Sequence, residues 1–427
     1  MTHRRTRPVP IPIPTGNKTR PRRPRLARIV VASVIALAAT ATATTTATTT
    51  TAGAATPPAP SAPIPLTLPA PTGPHTIGTT SLHLIDAARP DPWAPTPRAR
   101  ELSAQIWYPA EDTAGHPAAP YQQPGELAVL ERDFLGTTPG SLNWPTTVGH
   151  RDAPADDHGP RRPVVLYSHG SSGSRTNDTA LVTELASRGY VVVTIDHTFD
   201  ATAVEFPGGR VEVRNTAAVH AMTDAQVVAV RVADTRFVLD RLAEIHAGGN
   251  PDVEHRALPP GLRTLLDPSR VGMFGHSMGG ATTAGTMHDD PRVIAGINLD
   301  GPIFGPVATD GLNKPLLLMS SAWNRPERDA MWNTLWPHLT GWRRQFALAD
   351  SGHLTYSDFT TLLRQGQSAI SWPPERLDQQ LGTIDGTRAI RIQRAYVTAF
   401  FELQLRNRGT TLFNGPSTCY PEMRPTR

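Results

Sequence analysis

The feature that most constrains this chain is the pentapeptide Gly-His-Ser-Met-Gly at residues 275–279 and what flanks it. A short apolar run, Val271–Phe274, precedes it, and a small-residue segment typical of a tightly packed helix follows. A strand that turns sharply into a helix at a G-x-S-x-G sequence is a nucleophile elbow. Gly275 and Gly279 are predicted to be required because larger side chains would collide with the tightly folded backbone. The turn would hold Ser277 at a helix N-terminus, which favours developing negative charge.

The rest of the body alternates between short apolar runs and segments with helical periodicity. Continuous apolar runs indicate strands buried on both faces, as in a parallel sheet. The predicted buried strands cover 163–168, 190–195, 271–274, 293–299, 315–320 and 345–348. The predicted helices cover 178–187, 217–247, 279–287, 326–336 and 388–406. Two earlier segments, 76–85 and 102–108, alternate like antiparallel strands. This order predicts an α/β fold with a mostly parallel, doubly wound sheet and helices on both faces.

The net charge of the chain is unevenly distributed. The 41 basic and 37 acidic residues give a formal charge of +4. Residues 1–85 contain nine basic residues and no acidic one, which leaves 32 basic and 37 acidic residues in the remainder, a net charge of −5. The basic character belongs to the N-terminal tail, so we expect no nucleic-acid partner for the body.

The N-terminal tail has the order of an export signal. Basic residues precede an apolar run, Ile29–Ala39, and small-residue sites follow up to Ala43. This pattern predicts a secretory signal peptide over 1–43 and a secreted protein. The alternative is a retained N-terminal membrane anchor, although a span needs about 20 strongly apolar residues. The Thr-, Ala- and Pro-rich residues 44–75 are predicted to be a disordered spacer, and 76–427 the folded catalytic body.

A serine nucleophile needs a histidine base, which in turn needs an orienting acid. In this kind of sheet the chain order is serine, acid, histidine. Of the histidines after Ser277, His353 is favoured over His288 and His338 because it directly follows the last predicted strand, where this architecture presents catalytic groups. The earlier histidines at strand ends, His169 and His197, are expected to have structural roles.

The position of the acid is less constrained. Asp300 follows the strand 293–299, whereas Glu327 and Asp329 follow the next strand. Both places are compatible with the required chain order, so position alone only slightly favours Asp300.

Stabilising a tetrahedral intermediate requires backbone donors near the serine. One predicted donor is the N–H of Met278, which follows the nucleophile. The other is the N–H of Ser171, in the loop after the strand 163–168, where Gly170 would let the backbone approach a substrate.

The stretch 111–160 is rich in Pro, Gly and Asp and is predicted to be a variable cap or insertion. Within it, the segment 126–135 has Leu127, Leu130 and Phe134 on one helical face. That face could form a lid or lipid-interface element, but packing on the body is favoured. The single cysteine, Cys419, excludes an intramolecular disulfide. No motif calls for a metal, a nucleotide or another cofactor.

Several motifs together resemble those of the platelet-activating factor acetylhydrolases of the secreted plasma type and their bacterial lipase-like relatives. They are Tyr167-Ser-His-Gly170, Gly275-His276-Ser277-Met278-Gly279-Gly280, Asn298-Leu-Asp-Gly301, Ser351-Gly-His353 and Asp358-Phe359. The resemblance implies an α/β-hydrolase fold, with Asp300 as the acid of the triad. It also implies a calcium-independent serine esterase that cleaves short or oxidised acyl groups at the sn-2 position of phospholipids, with a lipid interface as a further expected partner.

Two alternatives remain open. The elbow sequence is also similar to those of cutinase-like polyester hydrolases and triacylglycerol lipases, which keep the chemistry and change the substrate. A non-catalytic binding module on a hydrolase scaffold is the remote alternative, since a complete set of triad residues argues against it. The sequence predicts no oligomeric state.

Overall fold

The computed structural model describes residues 62–427. The predicted signal peptide and the first part of the predicted spacer lie outside the described residues. Within the described range, no helix combines the length and apolar character needed to cross a membrane.

Two short two-stranded sheets, β1–β5 and β9–β10, accompany a large mixed sheet of eleven strands. The strands are β1 (Ile64–Pro65), β2 (Ile77–Pro90), β3 (Ala99–Pro109), β4 (Ala118–Pro120), β5 (Leu142–Asn143), β6 (Thr146–Arg151), β7 (Arg162–Ser168), β8 (Val191–Asp196), β9 (Ala203–Phe206), β10 (Arg210–Val213), β11 (Leu266–His276), β12 (Val293–Leu299), β13 (Leu316–Ser321), β14 (Arg343–Leu348) and β15 (Met423–Pro425). The order across the large sheet is β15-β14-β13-β12-β11-β7-β8-β3-β2-β6-β4. Six adjacent strands run parallel to one another, namely β14, β13, β12, β11, β7 and β8. This confirms the mostly parallel sheet.

Eleven α-helices lie within the described residues, several of them between successive parallel strands. They are α1 (Pro124–Val129), α2 (Thr179–Ser187), α3 (Thr216–His220), α4 (Asp224–Ala247), α5 (Leu262–Leu265), α6 (Met278–Asp289), α7 (Val307–Asp310), α8 (Pro326–Leu335), α9 (Phe359–Gln365), α10 (Pro374–Leu381) and α11 (Gly386–Arg406). A π-helical turn, Leu130–Leu135, and two 3-10 turns, Trp336–His338 and His353–Tyr356, complete the set.

The predicted helix 217–247 is in fact two helices, α3 and α4. The Thr223 hydroxyl accepts a hydrogen bond from the Gln226 N–H, and the Gln226 side chain accepts one from the Thr223 N–H at 2.9 Å. This capping box starts a new helix at Asp224, because it satisfies two donors that a helix N-terminus leaves unpaired.

The central strands are buried on both faces, as their apolar runs predict. In β11, Val271 and Met273 join the apolar core that includes α4 and α6, whereas Phe274 faces the core that includes α2 and α11. The Phe274 ring lies 6.3 Å from that of Phe401, centroid to centroid. The helices therefore cover the sheet on both sides, and the carboxyl ends of the strands are left free to carry a site.

The prediction of a disordered spacer is wrong for residues 62–75, which pack on the body. Leu66 is 3% exposed and lies in an apolar cluster with Leu130 and Leu362. Thr72 donates to the carboxylate of Glu184 through its N–H and its hydroxyl, at 2.8 and 2.7 Å. The composition of this segment is typical of a disordered spacer, but its apolar residues, spaced among the prolines, are enough to anchor an extended segment.

The 111–160 stretch contributes both an extension of the sheet and a packed helical segment. Its strand β6 pairs with β2, and β4 pairs with β6 at the sheet edge. The Phe134 ring stacks on Phe359 at 5.7 Å and meets the edge of Trp372 at 5.3 Å. Of the two expectations for 126–135, packing on the body is therefore the one observed.

The burial of Leu66 predicts its contribution to stability. Leu66→Ala should lower the free energy of unfolding by about 2–4 kcal/mol, because it leaves a cavity in a packed cluster. Ile85, which is 41% exposed, offers a matched control, and Ile85→Ala should change that free energy by less than about 0.5 kcal/mol. Urea unfolding measures both variants. Equal, small effects would mean that residues 62–75 do not contribute to the core.

Candidate active site

Ser277 lies in a strained turn between β11 and α6. Its backbone angles are φ 55° and ψ −121°, outside the region that most residues adopt. A Cβ atom on Gly279 would lie 1.8 Å from the carbonyl oxygen of Ser168 at the end of β7, and one on Gly275 would lie 2.3 Å from the backbone of Gly279. Both glycines are needed because backbone meets backbone at this turn, as the sequence predicts.

The structure brings Ser277, His353 and Asp300 into one hydrogen-bonded chain. His353 Nε2 lies 3.0 Å from Ser277 Oγ, and His353 Nδ1 lies 2.6 Å from Asp300 Oδ2. His353 begins the 3-10 turn after β14, and Asp300 directly follows β12. Parallel strands end at the same edge of the sheet, so residues far apart in sequence meet there.

The other acid and base candidates are not in this chain of contacts. Asp329 pairs with Arg328, and His288 lies beside Asp289 and Asp310 on the surface. Glu327 is exposed, on the first turn of α8. Geometry therefore selects Asp300, which position along the chain only slightly favoured.

Asp300 is fully buried and held by several donors. It accepts hydrogen bonds from the Ser321 N–H at 2.8 Å, from the Ser321 hydroxyl at 3.0 Å and from Arg328. Burial by itself would raise the pKa of this carboxyl, but the hydrogen bond with His353 and the charges of His353, Arg328 and Arg325 lower it well below its usual range. Asp300 is therefore ionised at neutral pH and can orient the imidazole.

Arg325 adds a positive charge beside the imidazole. Its Nη1 lies 3.0 Å from His353 Nδ1 and donates to the carbonyl oxygen of Asp300 at 3.0 Å. Burial lowers the pKa of His353, Asp300 raises it, and the charges of Arg325 and Arg328 lower it further, with a net lowering. The imidazole is therefore neutral at pH 7 and able to accept a proton.

Sequence patterns did not single out Arg325 or Arg328. Both lie in the segment after β13, beside the acid candidates Glu327 and Asp329, whereas the acid follows the neighbouring strand β12. One signal could have pointed to them. Two arginines lie next to Glu327 and Asp329, and a buried catalytic carboxylate needs compensating positive charge nearby.

His276 supports the site from within the elbow. Its Nε2 lies 2.9 Å from the carbonyl oxygen of His353, and the two rings are 4.5 Å apart. Burial and the neighbouring His353 lower the pKa of His276 to about 3. Its ring is thus neutral and can donate from Nε2 to that carbonyl, which fixes the turn that carries the base.

The two predicted oxyanion donors are located near the nucleophile. A Cβ atom on Gly170 would lie 3.2 Å from Ser277 Cβ and 3.3 Å from His276 Nδ1, so the loop that carries Ser171 runs directly past the serine. Within residues 62–427, neither the Ser171 N–H nor the Met278 N–H donates to a protein acceptor. Both donors remain available to a substrate oxygen.

The site is open on the serine side and closed on the acid side. Ser277 and His353 are partly exposed, whereas Asp300 has no exposed surface. Trp323 lies beside the opening, with its ring 5.9 Å from that of His353. Among the described residues, no three His, Cys, Asp or Glu side chains are grouped so as to hold a metal ion. The arrangement suits proton transfer and nucleophilic attack by side chains.

Comparisons with known proteins identify the family of this chain. The family model described as "Platelet-activating factor acetylhydrolase, isoform II" matches residues 66–410. A probable 1-alkyl-2-acetylglycerophosphocholine esterase of Arthroderma benhamiae is 28% identical over 386 residues, which cover 83% of this chain and 92% of the relative. The platelet-activating factor acetylhydrolase of Cavia porcellus is 27% identical over 223 residues, which cover 47% of this chain and 50% of that protein.

A solved structure is also similar over nearly its whole length. The ferulic acid esterase from Streptomyces cinnamoneus superposes with a TM-score of 0.71 and 38% identity, covering 84% of this chain and 98% of that one. The Arthroderma and Streptomyces proteins are named as esterases and the Cavia protein as an acetylhydrolase, which supports ester hydrolysis as the reaction class of this chain. Because the family model spans most of its length, the protein belongs to the platelet-activating factor acetylhydrolase, isoform II, family and has the α/β-hydrolase fold.

Proposed function

We propose that the protein is a serine esterase that hydrolyses carboxylic esters through an acyl-enzyme. The observation that carries this proposal is the chain of short contacts from Ser277 Oγ through His353 to the buried Asp300. The export predicted from residues 1–43 lies outside the described residues and stays a prediction.

In the acylation step, Ser277 Oγ attacks the ester carbonyl carbon while His353 Nε2 takes the hydroxyl proton. Asp300 stays ionised and stabilises the imidazolium through its contact with Nδ1. The carbonyl oxygen becomes an oxyanion, which the N–H groups of Met278 and Ser171 stabilise. His353 then gives its proton to the leaving alcohol, and Ser277 is left acylated.

In the deacylation step, water takes the place of the alcohol. His353 removes a proton from the water as it attacks the acyl carbon, and the same two backbone donors stabilise the second oxyanion. Collapse of this intermediate releases the carboxylic acid, and the proton on His353 returns to Ser277 Oγ. The partly exposed serine and the closed acid side suit this exchange of alcohol for water.

Two substrate classes have specific support. The family and the Arthroderma relative favour short or oxidised acyl groups at the sn-2 position of phospholipids, encountered at a lipid interface. The Streptomyces neighbour, which is more similar in sequence, favours esters of ferulic acid. Polyesters and triacylglycerols remain the alternatives that the elbow sequence suggests.

The role of Ser277 predicts the effect of its removal. Ser277→Ala should lower kcat for p-nitrophenyl butyrate hydrolysis by at least about 10³-fold, since the nucleophile is lost. Circular dichroism should show an unchanged fold, because the hydroxyl is partly exposed and alanine removes only one oxygen. A folded Ser277→Ala protein with wild-type turnover would refute the assignment.

The charge of Arg325 predicts the pH dependence. His353 must be neutral to act as a base, so activity falls as pH drops through its pKa. Arg325→Met removes a positive charge that disfavours the imidazolium, so the pKa of His353 should rise and the acidic limb of kcat/KM should move to higher pH.

The control for that shift is Arg364→Met. Arg364 instead pairs with Asp378 and donates to the carbonyl oxygen of Gly382, so its loss should leave the acidic limb in place. The measurement is a pH profile of kcat/KM with one p-nitrophenyl ester. An unmoved or lower midpoint in Arg325→Met would show that Arg325 does not act on the base.

A substrate panel separates the two supported classes. We expect kcat/KM to be highest for a 2-acetyl phospholipid if the family sets specificity, with ethyl ferulate, tributyrin and a polyester film turned over more slowly. The Ser277→Ala variant serves as the blank for every substrate. Fastest turnover of ethyl ferulate would instead assign the enzyme to phenolic esters and would contradict the phospholipid proposal.

A further inference from the structure

A buried arginine of α4 forms hydrogen bonds with the loop that carries Ser171, the candidate oxyanion donor. Arg231 has no exposed surface. Its Nη1 donates to the carbonyl oxygen of His169, and its Nη2 donates to that of Gly170 at 3.2 Å. Its Nε donates to Asp200 at 2.6 Å. One side chain thus holds two consecutive peptide groups next to Ser277.

The second of these peptide groups is the one that supplies the donor. The Gly170 carbonyl and the Ser171 N–H belong to one planar group, and in a trans peptide they point in opposite directions. The described residues contain no cis peptide bond. Fixing the direction of the Gly170 oxygen therefore fixes the direction of the Ser171 N–H.

Three groups hold that oxygen. In addition to Arg231, the Gly173 N–H donates to it at 3.0 Å, and His169 Nδ1 lies 2.7 Å away. Turning the peptide over would break all three contacts with the Gly170 oxygen, including one with a buried guanidinium, which is costly. Of the three groups, Arg231 is the charged one, and it reaches the Gly170 oxygen from a separate element, α4.

The charge of Arg231 is compensated by a buried carboxylate, Asp200. Asp200 is fully buried and contacts both Arg231 and Arg214. Arg214 in turn donates to the Ser171 hydroxyl at 3.2 Å. Asp200 would therefore keep one arginine partner if Arg231 were replaced, so the loss of Arg231 does not leave an unpaired buried carboxylate.

We propose that Arg231 is a positioning residue for the reaction, which orients the Gly170–Ser171 peptide so that the Ser171 N–H faces the oxyanion at Ser277. The inference rests on the proposed esterase function and adds a residue that does not itself touch the substrate. An oxyanion donor acts mainly in the transition state, so its misorientation lowers kcat more than it raises KM.

The test compares Arg231→Met with the wild type on p-nitrophenyl butyrate. Loss of an oxyanion donor costs about 10²–10³-fold in kcat, so we expect a fall of about 100-fold with little change in KM. The acidic limb of the pH profile should not move, because Arg231 does not contact His353. Arg231→Lys keeps the charge beside Asp200 but replaces the planar fork of three nitrogens by one, so it should lose at least about tenfold in kcat.

Arg394 provides the matched control for a purely structural role. It is 7% exposed and donates to carbonyl oxygens of Ala180, Ala70 and Pro69, away from the elbow. Arg394→Met should lower the melting temperature while leaving kcat within about twofold of wild type, since it does not touch the site.

The outcomes are distinct. A folded Arg231→Met or Arg231→Lys protein with wild-type kcat would overturn the proposal, and Arg231→Lys decides the matter if Arg231→Met does not fold. A loss of kcat in Arg394→Met equal to that in Arg231→Met would also overturn it. Retained activity in Ser277→Ala would refute the esterase mechanism itself, whereas inactive Ser277→Ala with fully active Arg231 variants would refute the positioning role alone.

Discussion

The site depends on one close approach, between the first turn of α6 and the end of β7. Gly279 lies so near the Ser168 carbonyl that any side chain on it would overlap that oxygen. This contact sets the distance between the elbow and the loop that follows β7. Because of this contact, three groups lie next to one another: the nucleophile on Ser277, the N–H of Met278 and the peptide before Ser171.

Buried charge is the second constraint, and the structure meets it with arginines. Asp300 is compensated by Arg328 and Arg325 behind the triad, and Asp200 by Arg231 and Arg214 behind the oxyanion loop. An unpaired carboxylate at either place would be destabilising, because burial disfavours its charged form. The same pairs that satisfy these carboxylates also orient the groups proposed to react.

A second serine–histidine–aspartate constellation shows why geometry alone does not make a catalyst. Ser168 Oγ lies 2.9 Å from His197 Nε2, and His197 Nδ1 lies 2.9 Å from Asp234. All three are fully buried, and burial lowers the pKa of His197 to about 4. No ester can reach Ser168, so this chain of bonds anchors the end of β7. Solvent access distinguishes Ser277 from it.

Features with a local signature could be predicted from the sequence. The elbow has such a signature because a tight turn requires glycines. His353 has one because the base follows the last parallel strand. Asp300 lacks one, since Glu327 and Asp329 also follow a strand, and only the family resemblance or the three-dimensional contacts separate them. Arg231 and Arg325 act through tertiary contacts with carbonyls and a ring, which no spacing reveals. The packing of residues 62–75 has no such signature, because Ile64, Leu66 and Leu68 lie within a Thr-, Ala- and Pro-rich stretch typical of a spacer.

The central claim is that Ser277 is the nucleophile of an ester hydrolase, and stoichiometric labelling with a fluorophosphonate tests it most directly. Peptide mapping should find one equivalent of label on Ser277, and ester hydrolysis should disappear in proportion to its incorporation. Hydrolysis that continues at the wild-type rate after Ser277 is fully labelled, or is lost through a label on another residue, would contradict the account.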